Sequence, residues 1–388
     1  MKLKSLQRNI IQGIGIFLFS VTILYPLNGW GFQGEKQNRP PPINPGSRKF
    51  EIQFHSVNIN GKLWYRYLHQ MGIDNVIVRV FQDQEDSGGL FFTNSIFRVI
   101  HPFLDRLIDE FKSEPLNLYA WMITRRFNWV RDTDCFDYVY ENGRRYQVKK
   151  FDIFNPDAIN KIISVYGELA AKKIKGILLQ DDFFLRYNEG FSNWGKAVFT
   201  HKTKFPANEK LMINSKSISN QYWRQVKIDQ IIRVLEMIVK KCKSVNPEIK
   251  IGMNIHYETP YYRQKSKSWY AHDLTRLVKT GIDYVYLMSY HRQMKRELKL
   301  TEQQNRNLFK KIVDEALRIC GSKLVVKLQI RDWKTSKLIS LSELTTYLGL
   351  IPDGVNRICL TPVKTRDFGY IEQIIQAQDR KILSHRGH

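Results

Sequence analysis

The sequence predicts an α/β protein. It reads as a (β/α)8 barrel of the TIM type, with either a closed or an open, incomplete wall, behind an N-terminal signal or membrane segment. Three observations predict it. Eight short runs rich in Val, Ile, Leu and aromatic residues recur between residues 49 and 363, each followed by a stretch with helical spacing. Those runs are apolar on both faces, as strands of a parallel sheet are. Polar and acidic residues collect at their C-terminal ends, where barrels of this kind keep their chemistry. Neither a GxGxxG nor a Walker A loop occurs, so the nucleotide-binding open sheets lack support.

The elements follow in order. Residues 49–57 (KFEIQFHSV) form the first predicted strand, with a helix over 61–71. The second strand is 75–82 with a helix over 97–111; the third is 116–123, its helix over 156–173 capped by Asn155. The fourth is 174–181, followed by a long loop and a helix over 222–242. Strands over 250–257, 283–290, 323–330 and 357–363 complete the set, with helices over 268–279, 304–320, 341–349 and 370–378.

Ahead of this body, Lys2, Lys4 and Arg8 precede an uncharged segment over residues 10–27, about the length of a membrane span. Residues 1–30 therefore read as a signal anchor or a cleaved signal peptide. The absence of small residues in an A-x-A arrangement favours the anchor. Basic residues before the segment place the body on the far side of the membrane. The expectation is an exported, periplasmic protein held at the inner membrane by residues 10–27. Residues 31–48, including NRPPPINPGS, form an extended Pro-rich linker, and the barrel is expected over 49–380.

The formal net charge is +24, which favours an anionic partner. Lys and Arg are spread along the whole chain, and no zinc-finger spacing, RNP1-like motif or basic heptad accompanies them, so nucleic acid is not expected. The four cysteines are widely and irregularly spaced without a CxxC, and read as buried thiols. No metal or cofactor is expected.

The segment IKGILLQDDFFLRYNE (174–189) carries the clearest chemical signal: an aliphatic strand running straight into Asp181 and Asp182. Two adjacent carboxylates do not ionise independently, so their pKa values are expected to split into an acid and a base. Other strand ends add Arg79, Tyr119 with Trp121, His256 with Tyr257, Tyr290 with His291, and Asp332 with Trp333. Carboxylates beside aromatic faces suit a polysaccharide groove, in which sugar rings stack and a carboxylate handles the glycosidic oxygen. Tyr257 and Tyr290 are candidate substrate-binding residues on this ground.

Taken together, the segments YAWMI (119–123), GILLQDDFFLRYNE (176–189), MNIHYETP followed by SWYA (268–271), and LQIRDWK (328–334) resemble the C-terminal glycoside hydrolase domain of PgaB-type proteins, in order and spacing from about residue 50 to 370. The resemblance implies a hydrolase that cleaves partially deacetylated poly-β-1,6-N-acetyl-D-glucosamine (PNAG), a biofilm exopolysaccharide, beside an export machinery. It implies catalysis by Asp181 and Asp182 and substrate contacts from Glu189, Tyr119, Trp121 and Trp333. Three features depart from the family: Gln180 replaces a His, Tyr187 replaces an Asp, and the chain is strongly basic although a cationic polymer suits an acidic groove. The fused deacetylase domain has no counterpart, so deacetylation is not expected. A non-catalytic polysaccharide-binding barrel that aids export is the alternative; an anion-binding protein held at a membrane surface is a second.

Overall fold

The computed structural model describes residues 48–55, 64–112, 114 and 116–386. The expected membrane segment, and all of the linker but Arg48, lie outside the described residues. Among the described residues, no helix is long and apolar enough to cross a membrane.

Twelve strands are described: β1 (Lys49–Phe54), β2 (Asn75–Arg79), β3 (Phe81–Gln82), β4 (Gly89–Leu90), β5 (Asn117–Met122), β6 (Phe136–Glu141), β7 (Arg144–Phe151), β8 (Gly176–Leu179), β9 (Lys250–His256), β10 (Tyr284–Met288), β11 (Leu324–Gln329) and β12 (Arg357–Val363). Eight of them close a barrel in the order β1-β2-β5-β8-β9-β10-β11-β12, every pair parallel. β3 and β4 pair with each other, and β6 and β7 form a hairpin. The wall is closed, which decides between the two expected forms.

Alternation along the strands makes two shells. Ile52, Val76, Ala120, Ile177, Met253 and Leu287 are fully or almost fully buried under the helices. The other face points into the barrel, and there the filling is polar. Glu51 accepts hydrogen bonds from Asn75 (2.9 Å), Tyr286 (2.8 Å) and Arg357 (2.6 Å), tying β1 to β2, β10 and β12 near the N-terminal end. Two rings need glycines opposite them. A Cβ at Gly176 would sit 2.4 Å from the Tyr119 ring, and one at Gly252 would sit 2.6 Å from the Tyr286 ring. These two glycines make room for side chains that fill the barrel floor.

The helix Pro156–Ala170 is capped by Asn155, whose side chain accepts from the Asp157 amide, as expected. Further departures from the expected elements follow local chemistry. The helix expected over 97–111 is Phe103–Phe111, since Pro102 disfavours helix at the residue before it. The helix expected over 268–279 is two short ones, Arg263–Trp269 and Leu274–Leu277, interrupted where Ala271 takes φ 54. All four cysteines are buried free thiols.

Candidate active site

The C-terminal ends of the barrel strands converge on an aromatic trough. The His55 ring, just past β1, lies 4.6 Å from Trp121 on β5 and 5.3 Å from Trp333 beyond β11. Tyr290, beyond β10, meets Trp333 at 5.7 Å. Trp121 also packs against Phe81 at 5.5 Å. Strands far apart in sequence thus supply one continuous ring-lined wall. The expected groove residues Trp121, Trp333 and Tyr290 all belong to it.

Asp181 stands two residues past β8, half-exposed, and makes no hydrogen bond or ion pair with the described residues. Its charge acts on three neighbours. It partly opposes the effect of burial on His256 and on Lys327, and it helps hold the Tyr290 phenol protonated. Burial pushes Lys327 down to about 8; its ammonium donates to Asn254 Oδ1 at 2.7 Å, and Asn254 donates to the Leu179 carbonyl at 2.8 Å. Burial, then the charges of Lys327 and Arg79, keep His55 neutral. Its Nε2 lies 3.0 Å from Thr361 Oγ1. Several polar atoms at or below the trough have no protein partner: Trp121 Nε1, Gln180 Oε1, His256 Nε2, and both amide atoms of Gln53 and of Gln329. Such uncommitted groups suit water or sugar hydroxyls.

Asp182, the other half of the expected catalytic pair, faces away. It is 2% exposed, and its carboxylate accepts from the amides of Thr124 (3.0 Å), Arg125 (2.7 Å) and Arg126 (2.7 Å). Its pKa is raised by burial, against the pull of those amides, not by Asp181. The carboxylate pins the turn after β5. The pair therefore splits in space, and burial rather than mutual repulsion raises Asp182.

Three further residues expected to contact substrate lie elsewhere. Glu189 is buried between Arg125 Nη1 (2.8 Å) and Lys150 Nζ (2.5 Å). Burial raises its pKa, but the two cations more than offset that and hold it well below the usual range. Tyr119 fills the barrel floor over Gly176, one inward layer beneath Trp121. Tyr257 is buried, and its hydroxyl donates to Glu297 at 2.8 Å. The sequence reading passed over His55, Lys327 and Gln329. Lys327 and Gln329 alternate with apolar residues in β11, the signal of a polar inward face.

The contrast between the layers is measurable. Trp333→Ala should weaken oligosaccharide binding roughly tenfold, through loss of about 1–2 kcal/mol of ring contact, whereas Tyr119→Phe should leave it within about twofold. Titration of intrinsic fluorescence checks both.

A closed (β/α)8 barrel with aromatic rings and an acidic residue near its strand ends is a frame on which glycoside hydrolases are built. The chain belongs to GHL13, hypothetical glycosyl hydrolase family 13, whose family model matches residues 54–359. Among solved structures it is similar to the PgaB (BpsB) glycoside hydrolase domain from Bordetella bronchiseptica, with TM-score 0.70 and 17% identity over 85% of this chain and 99% of that one. It is also similar to β-galactosidase from the psychrophilic Marinomonas ef1, with TM-score 0.62 and 12% identity over 87% of this chain and 60% of that one. A third similarity is to the β-galactosidase of the Antarctic haloarchaeon Halorubrum lacusprofundi, with TM-score 0.60 and 9% identity over 85% of this chain and 57% of that one. At these identities the likeness is one of fold. No curated protein sequence matches the chain.

Proposed function

We propose that this protein hydrolyses glycosidic bonds within an exported polysaccharide, with Asp181 exchanging the proton at the glycosidic oxygen. The observation that supports this is that Asp181, of the acidic residues expected at the site, makes no hydrogen bond or ion pair among the described residues and acts electrostatically on Tyr290 of the aromatic wall. Tyr290 and the neutral His256 beside it offer hydrogen bonds to the same region. Asp182 acts as a positioning residue through the amides it holds.

A single carboxylate in the trough favours substrate assistance. An N-acetyl group on the sugar would attack its own anomeric carbon, and water would then open the resulting ring, as in other glycosidases that lack a carboxylate nucleophile. PNAG, which the sequence resemblance implies, carries that group wherever it remains acetylated. Arg79 and Lys327 border the trough and would repel the ammonium of deacetylated units. The preferred substrate in this reading is therefore the acetylated stretch, not the deacetylated one. Residues 10–27 would hold the enzyme at the inner membrane, near the machinery that exports the polymer.

The test is incubation of the protein with PNAG of graded deacetylation, with products read by mass. Cleavage should fall as deacetylation rises, and every new reducing end should carry N-acetylglucosamine. Binding without cleavage at any grade would replace the hydrolase with a polysaccharide-binding barrel.

A further inference from the structure

Beside the trough lies a second, differently charged cavity. It has a volume of about 690 Å³ and opens between the helix His291–Glu297, the start of the helix Glu302–Cys320 and the helix Leu341–Leu348. The two sites are neighbours along the chain. Asp332 in the cleft precedes Trp333 of the trough wall, and His291 in the cleft follows Tyr290.

The cleft is cationic. Arg292, Lys295, Arg296, Lys299 and Arg306 line it against Glu302, Asp332 and Glu343. Each carboxylate is already committed. Glu343 accepts from Arg292 Nε (2.8 Å) and Nη2 (2.5 Å), and lies 3.0 Å from His291 Nε2. Asp332 accepts from Arg296 (2.9 Å) and from the amides of Lys334 (2.8 Å) and Thr335 (3.1 Å). Glu302 takes Lys295 (3.0 Å), the Tyr347 hydroxyl (2.9 Å) and Arg306 (3.3 Å).

Positive charge is left over. Lys299 pairs with no carboxylate among the described residues, and Arg296 keeps a side chain 41% exposed. At the cleft wall, His291 is almost wholly buried, and its Nδ1 has no hydrogen-bond partner. Arg292 and Glu343 form a two-point pair, so that guanidinium is oriented in advance.

We propose that this cleft is a subsite for anionic substituents, carboxylate or phosphate, on the polysaccharide that the trough holds. The inference rests on the polysaccharide reading above and adds acidic decoration to the N-acetylated polymer named there. That neighbourhood favours a polymer over a lipid headgroup. The chain enters the barrel at Lys49, at the N-terminal end of β1, while trough and cleft share the opposite face.

The test compares tetragalacturonate with tetra-N-acetylchitotetraose by calorimetry on the full chain, with wild type, the double variant Arg296→Gln/Lys299→Asn, and Asp181→Asn. Arg296→Gln gives up one bond to the Asp332 carboxylate, which keeps the Lys334 and Thr335 amides, and Asn tolerates the left-handed backbone of Lys299 (φ 53). The acidic tetrasaccharide should bind at least about tenfold more tightly than the neutral one at low salt, and inorganic phosphate should displace it. The advantage should shrink as salt rises, and the double variant should lose it. Equal affinities, indifference to salt, or an unchanged double variant would overturn the proposal. So would binding to phosphatidylglycerol vesicles without binding to the acidic sugar. If the double variant fails to fold, wild-type salt dependence and phosphate displacement decide alone. Asp181→Asn should keep the acidic preference. Wild type that shows this preference yet cleaves no polymer removes the hydrolase reading and leaves the subsite standing.

Discussion

Asp181→Asn is expected to lower polymer hydrolysis at least about a thousandfold, within the usual range for losing an acid–base group, while leaving melting temperature and polymer affinity nearly unchanged. The side chain makes no bond to the described protein, so the fold does not depend on its charge. Asn keeps its volume and removes only the proton exchange. The neighbouring substitution Asp182→Asn should behave in the opposite way. There the amide oxygen can replace Oδ2, on which three backbone N–H donors converge, but the NH₂ would face the Thr124 amide that now also points at Oδ1, and a neutral acceptor replaces a charged one. Weakened, charge-free bonds and one opposed donor cost about 1–3 kcal/mol in all, so this variant should melt earlier and lose activity only as the turn shifts. Product release and thermal melting, measured on both variants, separate a reacting carboxylate from one that holds the backbone. A large stability loss in Asp181→Asn, or full activity in that variant, would remove Asp181 from the centre of the mechanism.

The barrel was legible because its strands are buried on both faces. Aliphatic runs with little polar interruption stand out, and the last expected strand, 357–363, matches β12 (Arg357–Val363) residue for residue. The insertions were less legible. The hairpin β6–β7 went unread although its turn carries Asn142 and Gly143, at φ 52 and 78. An Asn-Gly pair with both residues at positive φ is the signature of a tight hairpin turn. The helix Asn193–Thr203, led by the cap Ser192, also went unread, because its buried face is thin: only Gly195 and Phe199 are fully covered.

The site was legible to the depth that strand alternation allows. Trp121 and Tyr119 share the inward face of β5, but two residues along a strand is about 7 Å of depth, enough to put one in the trough and the other in the floor. Asp181 and Asp182 are adjacent, so the chain sends them to different surroundings. Glu189 and Tyr257 were misassigned because their partners are far away in sequence. No local pattern announces that Arg125 and Lys150 close over Glu189, or that Glu297 takes the Tyr257 hydroxyl.

Arg125→Met should be strongly destabilising, costing about 3–5 kcal/mol. Arg125 is fully buried, and its guanidinium donates to Asp137 Oδ2 (2.7 Å), Glu189 Oε2 (2.8 Å), the Phe151 carbonyl (3.0 Å) and the Phe184 carbonyl. Lys150 and Lys227 share the same interior with Asp152. Removing the guanidinium leaves buried Glu189 with Lys150 as its remaining ion-pair partner, takes a donor from Asp137 and loosens residues 182–190, the loop that follows Asp181. The pH dependence fixes the cause. Lys150 and Arg125 hold the folded-state pKa of Glu189 below its unfolded value. Its stabilising contribution is therefore present above about pH 4.3 and is lost as pH falls through the lower folded value. Arg125→Met loses much of that contribution at neutral pH, where an ionised Glu189 is costly, and less in acid, where a protonated carboxyl needs no cation. The gap between wild type and variant should be widest near neutrality and narrow as pH falls through the carboxylate range. Denaturant melts across that range measure it. A gap that stays constant with pH would mean that Arg125 stabilises the barrel through packing and its carbonyl contacts, with the ion cluster incidental.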